Sequence, residues 1–432
     1  MTEHDPVDGE RRTTGTVADP GQLGGVPMPA RHAVTPLGEY VTAWAKRIRY
    51  GESGVLPVVV GLIAIFVYFQ SKNSLFLSNT NLANLLVQSA PFIVLGMAEI
   101  WVLLLGEIDL SVGFLGAYGA MMAIILCQPP YGLSWWLATA IGLGSSAAFA
   151  GLQGLLVILL RLPSFIVTLA GQLFWWGIII YYIDNRGGSI SISSNVLRDL
   201  SNGQLTPTQS IIVGVVVVVL YAISVLFQDL RRRRSGLVSP PAIIPVLKVV
   251  AMALAVAVLI YICNLNRSNF GVVRGLPWAV VVVVVLVVLY SLVLGRTRFG
   301  RYLYAIGGNH EAARRAGIRL GWNRFWAFVL GGFTGAVAML LLASQQGSIS
   351  ANINGGQYVL YAVAAAVIGG TSLFGGRGRM VHALIGGFVI AAINNGMALL
   401  GMAAAVQLMV TAIVLVLAVS IDALARRGST AR

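Results

Sequence analysis

Long apolar runs without any charged residue constrain this chain more than any other feature of its sequence. Pro277–Leu294 and Ala403–Ile421 are two such runs. A bilayer core about 30 Å thick is crossed by about 20 apolar residues in a helix. The runs are continuous and do not alternate with polar residues, so they favour spanning helices over the strands of a β-barrel.

The overall composition agrees with these runs. Of the 432 residues, 57% are hydrophobic and 10% are charged, whereas soluble domains carry about 25% charged residues. So few charges cannot cover a globule of this size, and lipid must therefore solvate much of the surface. The predicted fold class is an all-α, polytopic transmembrane helix bundle with about 12 crossings and interrupted helices.

Twelve apolar segments can be delimited along the chain. They are about Val55–Phe69, Leu82–Leu105, Leu110–Cys127, Trp135–Leu160, Ser164–Ile183, Ser210–Phe227, Ile243–Cys263, Pro277–Leu294, Phe325–Ala343, Tyr358–Leu373, Met380–Leu400 and Ala403–Ile421. The domain prediction is a disordered cytoplasmic tail over residues 1–50, a transmembrane domain over 51–425 and a cytoplasmic tail over 426–432.

The net charge of +14 raises the question of nucleic-acid binding, but the basic residues lie in short loops between apolar runs. That distribution is typical of membrane topology. With the N-terminus inside, 23 basic residues fall on the inner side and 5 on the outer side, and Lys248 lies within a helix. The sequence therefore predicts a multi-pass protein of the cell membrane, with both termini cytoplasmic and no nucleic-acid partner.

Two of the segment boundaries share a pattern. Gly106–Gly113 and Gly369–Gly376 both read Gly-x-x-(Asp/Ser)-Leu-x-x-Gly, with Asp109 and Ser372 in the same position. Both residue types are good N-caps for a helix that restarts. A break in a membrane helix must face protein or water, and paired breaks build the substrate path of many transporters. The alternative is a chance match between two Gly-rich stretches. The candidates for the helix breaks and translocation path are Glu107, Asp109, Ser111, Gly113, Thr371 and Ser372.

The basic loop between the eighth and ninth segments contains one short helix with both ends specified. Asn309 is a good N-cap and Glu311 lies in the first turn, where an acidic side chain stabilises the helix dipole. Arg314 and Arg315 lie in the last turn, and Gly317 is placed to end the helix. A simple connector does not need such a helix, so the pattern suggests a docking element, with an ordinary loop as the alternative.

Motifs for catalysis and nucleotide binding are missing from the sequence. No GxxxxGK[ST], GxSxG, HExxH or dinucleotide fingerprint occurs, and the four histidines are scattered. We therefore expect neither an enzyme nor a metal site, and no cofactor held by this chain.

Four motifs, in the same order, resemble the ribose/xylose/galactose branch of ABC sugar permeases, and among its members the chain is most similar to D-xylose permease subunits. They are Glu107-Ile-Asp-Leu-Ser-Val-Gly113, Leu162-Pro-Ser-Phe-Ile-Val-Thr-Leu-Ala-Gly171, Phe299–Ile318 and Val367-Ile-Gly-Gly-Thr-Ser-Leu-Phe-Gly-Gly376. The resemblance covers about residues 50–425. It implies an importer of D-xylose or a related pentose, a second copy of the chain, an external sugar-binding protein and an ABC ATPase that binds ATP and Mg²⁺. It also implies an ATPase-coupling element that contains Gly308, Asn309, Glu311, Ala312, Ala313 and Gly317.

Polar residues inside the segments are further candidates for the substrate path: Gln88, Glu99, Asn394 and Asn395. Neutral amides suit sugar hydroxyls, but they also form hydrogen bonds between helices, worth about 1 kcal/mol per pair. For Glu107 and Asp109 the sequence favours a structural role, in capping the broken helix and pairing across the bundle, with direct contact to the sugar as the alternative. Glu99 is an intramembrane carboxylate, a functional candidate by default, and it supports the alternative of a proton-coupled secondary sugar transporter.

Overall fold

The computed structural model describes residues 56–235, 240–267 and 271–414, together with isolated positions outside these ranges. The predicted tails, 1–50 and 426–432, lie outside them. In chain order the elements are α1 (Leu56–Lys72), α2 (Asn79–Leu103), α3 (Val112–Leu126), α4 (Trp135–Leu160), α5 (Ser164–Asp184), β1 (Ser189–Ser191), α6 (Asn195–Asn202), α7 (Pro207–Arg234), α8 (Ile243–Asn264), α9 (Trp278–Arg296), α10 (Arg298–Gly308), α11 (His310–Arg315), α12 (Leu320–Gln346), β2 (Ser348–Ser350), α13 (Gly355–Ile368), α14 (Met380–Leu399) and α15 (Ala404–Val414).

The predicted polytopic helical fold is confirmed. Each of the twelve apolar segments overlaps a helix within the described ranges, and eight of the helices described there are long and apolar enough to cross a membrane. Two segment ends were placed wrongly: the sixth was predicted to end at Phe227, whereas α7 continues to Arg234, and the tenth was predicted to end at Leu373, whereas α13 ends at Ile368, where the break begins. The short helices α6 and α10 and the strand pair were not predicted, since none of them carries a long apolar run.

Helices α2, α3, α4, α12, α13 and α14 form the core of the bundle, and small residues set their spacing. A Cβ on Gly116 would collide with Gly335 O, and a Cβ on Gly387 would lie 2.7 Å from the Ile93 backbone. Glycines at these positions therefore bring helix backbones together.

Burial differs strongly between the core helices and the peripheral pair α7–α8. In the most apolar stretch of α2, 78% of the residues are buried inside the protein, against 6% in the corresponding stretch of α8. Since both stretches are apolar, α8 needs an apolar solvent outside the protein, which is what lipid supplies.

The connections gather at two opposite ends of the bundle. One end, called here the strand end, contains the antiparallel pair β1–β2, in which Ile190 lies opposite Ile349. The other, called here the break end, contains residues 104–111, 297–319 and 369–379, which contact one another. The basic residues counted on the cytoplasmic side include seven from Arg296 to Arg324 together with Arg377 and Arg379, and these lie at or next to the break end.

Candidate functional site

The first break, residues 104–111, separates α2 from α3 and is held inside the protein. Gly106 has a φ of +79°, a conformation that suits glycine. Asp109 is 1% exposed, and its carboxyl group accepts hydrogen bonds from the Ser111 N–H at 2.9 Å and from Ser111 Oγ at 2.6 Å. The Ser111 hydroxyl also lies 2.8 Å from Gln153 Oε1 in α4. These contacts fix the path of the break against a neighbouring helix.

Two further carboxyl groups belong to this buried site. Glu107 forms an ion pair with Arg324 of α12. Glu99, which is fully buried, accepts a hydrogen bond from the Asp109 N–H at 3.1 Å. The predicted pairing of Glu107 across the bundle thus has its partner in Arg324, and Glu99 is a direct neighbour of the break.

The prediction that Asp109 and Ser372 cap the restarting helices is wrong. The N-caps of α3 and α14 are Ser111 and Arg379, and neither uses its side chain as a cap. Asp109 and Ser372 instead accept a hydrogen bond from the N–H two residues further on, at 2.9 Å and 3.0 Å respectively. Asp109 and Ser372 therefore have equivalent roles in the two breaks, but each closes a turn and does not cap a helix.

The second break, residues 369–379, is built mainly from glycine. Gly370, Gly375 and Gly376 all have positive φ, from +72° to +108°. Thr371 is buried, and its hydroxyl lies 3.3 Å from His382 Nδ1. Both breaks are therefore non-helical. The first is mostly buried, whereas the second buries Thr371 and Ser372 but leaves Gly370, Phe374 and Arg377 exposed.

The two breaks lie against each other. The Gly376 N–H donates to Leu104 O at 3.0 Å, and a Cβ on Gly106 would lie 3.2 Å from Phe374 O. Gly113, predicted as part of the first break, lies in the first turn of α3, where its backbone approaches Gly355 of α13. The structure thus joins sequence regions more than 250 residues apart at one end of the bundle.

The predicted short helix is α11, and its caps are those expected. Asn309 Oδ1 accepts a hydrogen bond from the Ala312 N–H at 2.9 Å. At the other end Gly317 has a φ of +78°, its N–H donates to Arg314 O, and the Ile318 N–H donates to Ala313 O. This is a Schellman motif. The specified ends fix the orientation of α11 relative to the bundle.

The surface of α11 is exposed and charged. Glu311 and Arg314 form an ion pair of 2.9 Å in which both side chains are more than 60% exposed. Ala313 is buried, whereas a Cβ on Gly308 would meet open space. Partial desolvation and the nearby Arg324 guanidinium lower the pKa of His310.

The polar candidates in the core helices fall into two groups. Asn395 donates to Asn81 and to Gln88 at 3.0 Å each, which ties α14 to α2. Asn394 belongs to a different group, in which Tyr361 of α13 donates to its Oδ1 at 3.4 Å and Gln357 donates to the Tyr361 hydroxyl. The structure therefore separates the adjacent residues Asn394 and Asn395.

Sequence reasoning missed Gln153, Gln172 and Gln357. Gln172 of α5 lies beside the start of α13, where a Cβ on Gly356 would be 3.2 Å from its Nε2. Together with Asn394, Gln172 and Gln357 form a band of partly exposed, neutral polar side chains on α5, α13 and α14, called here the amide band. A glutamine inside an apolar run was the available signal, and it was used at Gln88 but not at these three positions.

Comparison with known proteins identifies the family. The family model described as "Branched-chain amino acid transport system / permease component" matches residues 81–419. The chain belongs to this permease family. The permease is 33% identical over 377 residues to the xylose transport system permease protein XylH of Escherichia coli K12, covering 87% of this chain and 93% of the relative.

Two other relatives give the same result. Identity is 34% over 372 residues to XylH of Haemophilus influenzae, covering 85% of the permease and 96% of the relative. It is 30% over 378 residues to the ribose import permease protein RbsC of Bacillus subtilis, covering 87% and 95%. No solved structure matches the permease significantly. The chain is thus a multi-pass membrane protein and the permease component of a transport system.

Proposed function

We propose that this chain is the membrane-spanning permease subunit of an ATP-driven ABC importer that moves D-xylose or a related pentose into the cell. The observation that carries the proposal is the identity of 30–34% to xylose and ribose permeases over at least 85% of the chain. In this proposal the permease itself is not catalytic. ATP and Mg²⁺ bind to a separate ATPase, and an external binding protein delivers the sugar.

The α10–α11 loop, residues 297–319, supports a partner on one side of the bundle. Its capped helix α11 presents an exposed, charged surface on an otherwise apolar protein. Seven of the basic residues lie between Arg296 and Arg324, which favours a cytoplasmic location by the positive-inside rule. The proposed ATPase-coupling element contains Gly308, Asn309, Glu311, Ala312, Ala313 and Gly317, of which Ala313 is buried and anchors the helix.

The amide band supports a substrate path between two copies of the chain. Polar side chains that face hydrocarbon cost several kcal/mol when no partner satisfies them. Gln172, Gln357 and Asn394 are partly exposed on the isolated chain. A second copy over this face would turn the band into the wall of a path, with uncharged hydrogen-bonding groups that match sugar hydroxyls. The two breaks, which contain Glu107, Asp109 and Thr371, would lie at the end of this path and would change conformation during transport.

The printed description of the family model raises a second candidate, a branched-chain amino acid. A zwitterionic substrate needs groups that bind a carboxylate and an ammonium group. The amide band offers neutral amides, two of which are hydrogen-bonded to the Tyr361 phenol, and such groups suit a polyol. The relatives that match most of the chain carry sugars in their names, so the sugar is the substrate we propose.

The test is uptake into proteoliposomes that contain the permease, its cognate ATPase and its binding protein. We expect ¹⁴C-D-xylose to accumulate when ATP and Mg²⁺ are supplied on the ATPase side, and not with a non-hydrolysable analogue. Accumulation driven by an inward proton gradient without ATP would contradict the proposal and favour secondary transport. Accumulation of ¹⁴C-leucine instead of xylose would favour the second candidate.

A further inference from the structure

Helix α10 touches both breaks at a single glycine. A Cβ on Gly307 would collide with Leu104 O of the first break and with Gly376 N of the second. These two atoms are hydrogen-bonded to each other at 3.0 Å. Three backbone segments therefore meet where only glycine fits, and α10 lies directly on the bond that joins the breaks.

A second contact links α10 to the second break. The Tyr304 hydroxyl donates to Gly378 O at 2.6 Å. On the same helix Leu303 and Ile306 are buried in the main core, so α10 is fixed to the bundle along one face. One residue, Asn309, joins α10 to α11, serving as C-cap of the first and N-cap of the second. The covalent path from α11 to α10 therefore consists of Asn309 alone.

We propose that Gly307 is a positioning residue through which movement of α11 reaches both breaks at once. This inference rests on the proposed function, because it assumes that the ATPase binds α11. The hydrogen bond between Gly376 N and Leu104 O joins the two breaks, so we expect them to move together. Because Gly307 packs directly against both atoms, a shift of α10 should move both breaks. Packed interfaces of this kind shift between discrete arrangements instead of deforming gradually.

The test compares Gly307→Ala with Gly295→Ala in the reconstituted importer. Gly295 lies in the last turn of the neighbouring helix α9, and a Cβ there meets open space. We expect Gly307→Ala to retain assembly with the ATPase and basal ATP hydrolysis while the number of xylose molecules moved per ATP falls by about tenfold. Gly295→Ala should match the wild type in all three measurements. Equal transport per ATP in the two variants would overturn the inference.

A milder pair of variants keeps the inference testable if Gly307→Ala misfolds. Tyr304→Phe removes one hydroxyl group and adds no atom, and we expect it to lower xylose transport per ATP by about threefold with only the small decrease in melting temperature that loss of one hydrogen bond causes. Tyr302→Phe, on the exposed side of the same helix, should leave the ratio unchanged. If Gly307→Ala does not fold, this pair decides alone, and wild-type coupling in Tyr304→Phe overturns the inference.

The same experiment separates this inference from the proposed function. A wild-type complex that shows no ATP-driven uptake refutes the proposed function, and the inference falls with it. A wild-type complex that transports xylose, with Gly307→Ala and Tyr304→Phe behaving like their controls, leaves the function intact and refutes the role of Gly307.

Discussion

The two breaks share a sequence pattern and a local turn, yet different interactions hold them in place. The first break depends on buried side chains, among them Asp109 and the ion pair of Glu107 with Arg324. The second break is glycine-rich, with backbone conformations that suit glycine and a turn closed by the neutral hydroxyl of Ser372. Similar segments have thus been stabilised by electrostatics at one site and by backbone geometry at the other.

This difference predicts how each break responds to substitution. Removing the partner of a buried charged side chain destabilises the folded state strongly. A neutral hydroxyl that closes a turn contributes about one ordinary hydrogen bond. The first break should therefore be sensitive to loss of a charged partner, and the second should tolerate loss of its polar side chains.

The largest effect is expected from Arg324→Met. The substitution leaves Glu107 buried without its counter-charge, a change that costs about 3–5 kcal/mol when both groups are fully buried. The Arg324 side chain is 28% exposed, so we expect a loss of about 2–3 kcal/mol in the free energy of unfolding. SDS titration of the purified permease in mixed micelles measures it.

Two controls define the source of that loss. Arg319→Met removes an exposed arginine at the start of the same helix and should change the free energy of unfolding little. The double variant Glu107→Gln/Arg324→Met should recover part of the loss, because no unpaired charge is left. If the double variant is as unstable as Arg324→Met, the ion pair does not stabilise the first break.

The next effect compares equivalent positions. Asp109→Ala removes an acceptor used by both the N–H and the hydroxyl of Ser111, and we expect a loss of about 2 kcal/mol in the free energy of unfolding. Ser372→Ala removes the acceptor of one N–H and should cost about 1 kcal/mol. The same SDS titration applies to both variants. Equal losses in Asp109→Ala and Ser372→Ala would contradict the proposed difference between the first and the second break.

A smaller effect is expected at Thr371. Its hydroxyl lies 3.3 Å from His382 Nδ1, a long contact. Thr371→Val keeps the shape of the side chain, so we expect a loss of about 0.5 kcal/mol or less in the free energy of unfolding. A loss above about 2 kcal/mol would show that a side-chain network also holds the second break.

The smallest effect on stability is expected at Glu311, whose ion pair is exposed. Glu311→Ala should lower the free energy of unfolding by about 0.3 kcal/mol, since surface pairs contribute little. It should nevertheless weaken co-purification of the ATPase. Gly317→Val should weaken it further, because a β-branched residue is strained at a φ of +78°. Wild-type co-purification and transport in both variants would show that α11 is only a connector.

The apolar runs were enough to predict the long helices of the bundle. Trp135–Leu160 was delimited from the sequence with the bounds that the structure gives, because its length and composition match a spanning helix. The two breaks and the ends of α11 were also predictable, since glycine-rich stretches and helix caps are local signals.

The assembly of the site was not predictable in the same way. The contact of Gly307 with Leu104 and Gly376 joins three regions that are distant in sequence, and no local pattern encodes it. The partner of Glu107 could have been any of several arginines, and only the packing of α12 selects Arg324. The turn formed by Asp109 was mistaken for a helix cap because both structures use the same side-chain acceptor.

The most direct test of the account is the side of the membrane on which the break end lies. Single cysteines at positions 189 and 310, in a chain whose native Cys127 and Cys263 are replaced by serine, would mark the two ends. Both Ser189 and His310 are exposed. In intact cells an impermeant maleimide should label the cysteine at 189 and should reach the one at 310 only after permeabilisation. Labelling of the cysteine at 310 in intact cells would put the breaks and α11 outside and contradict the account.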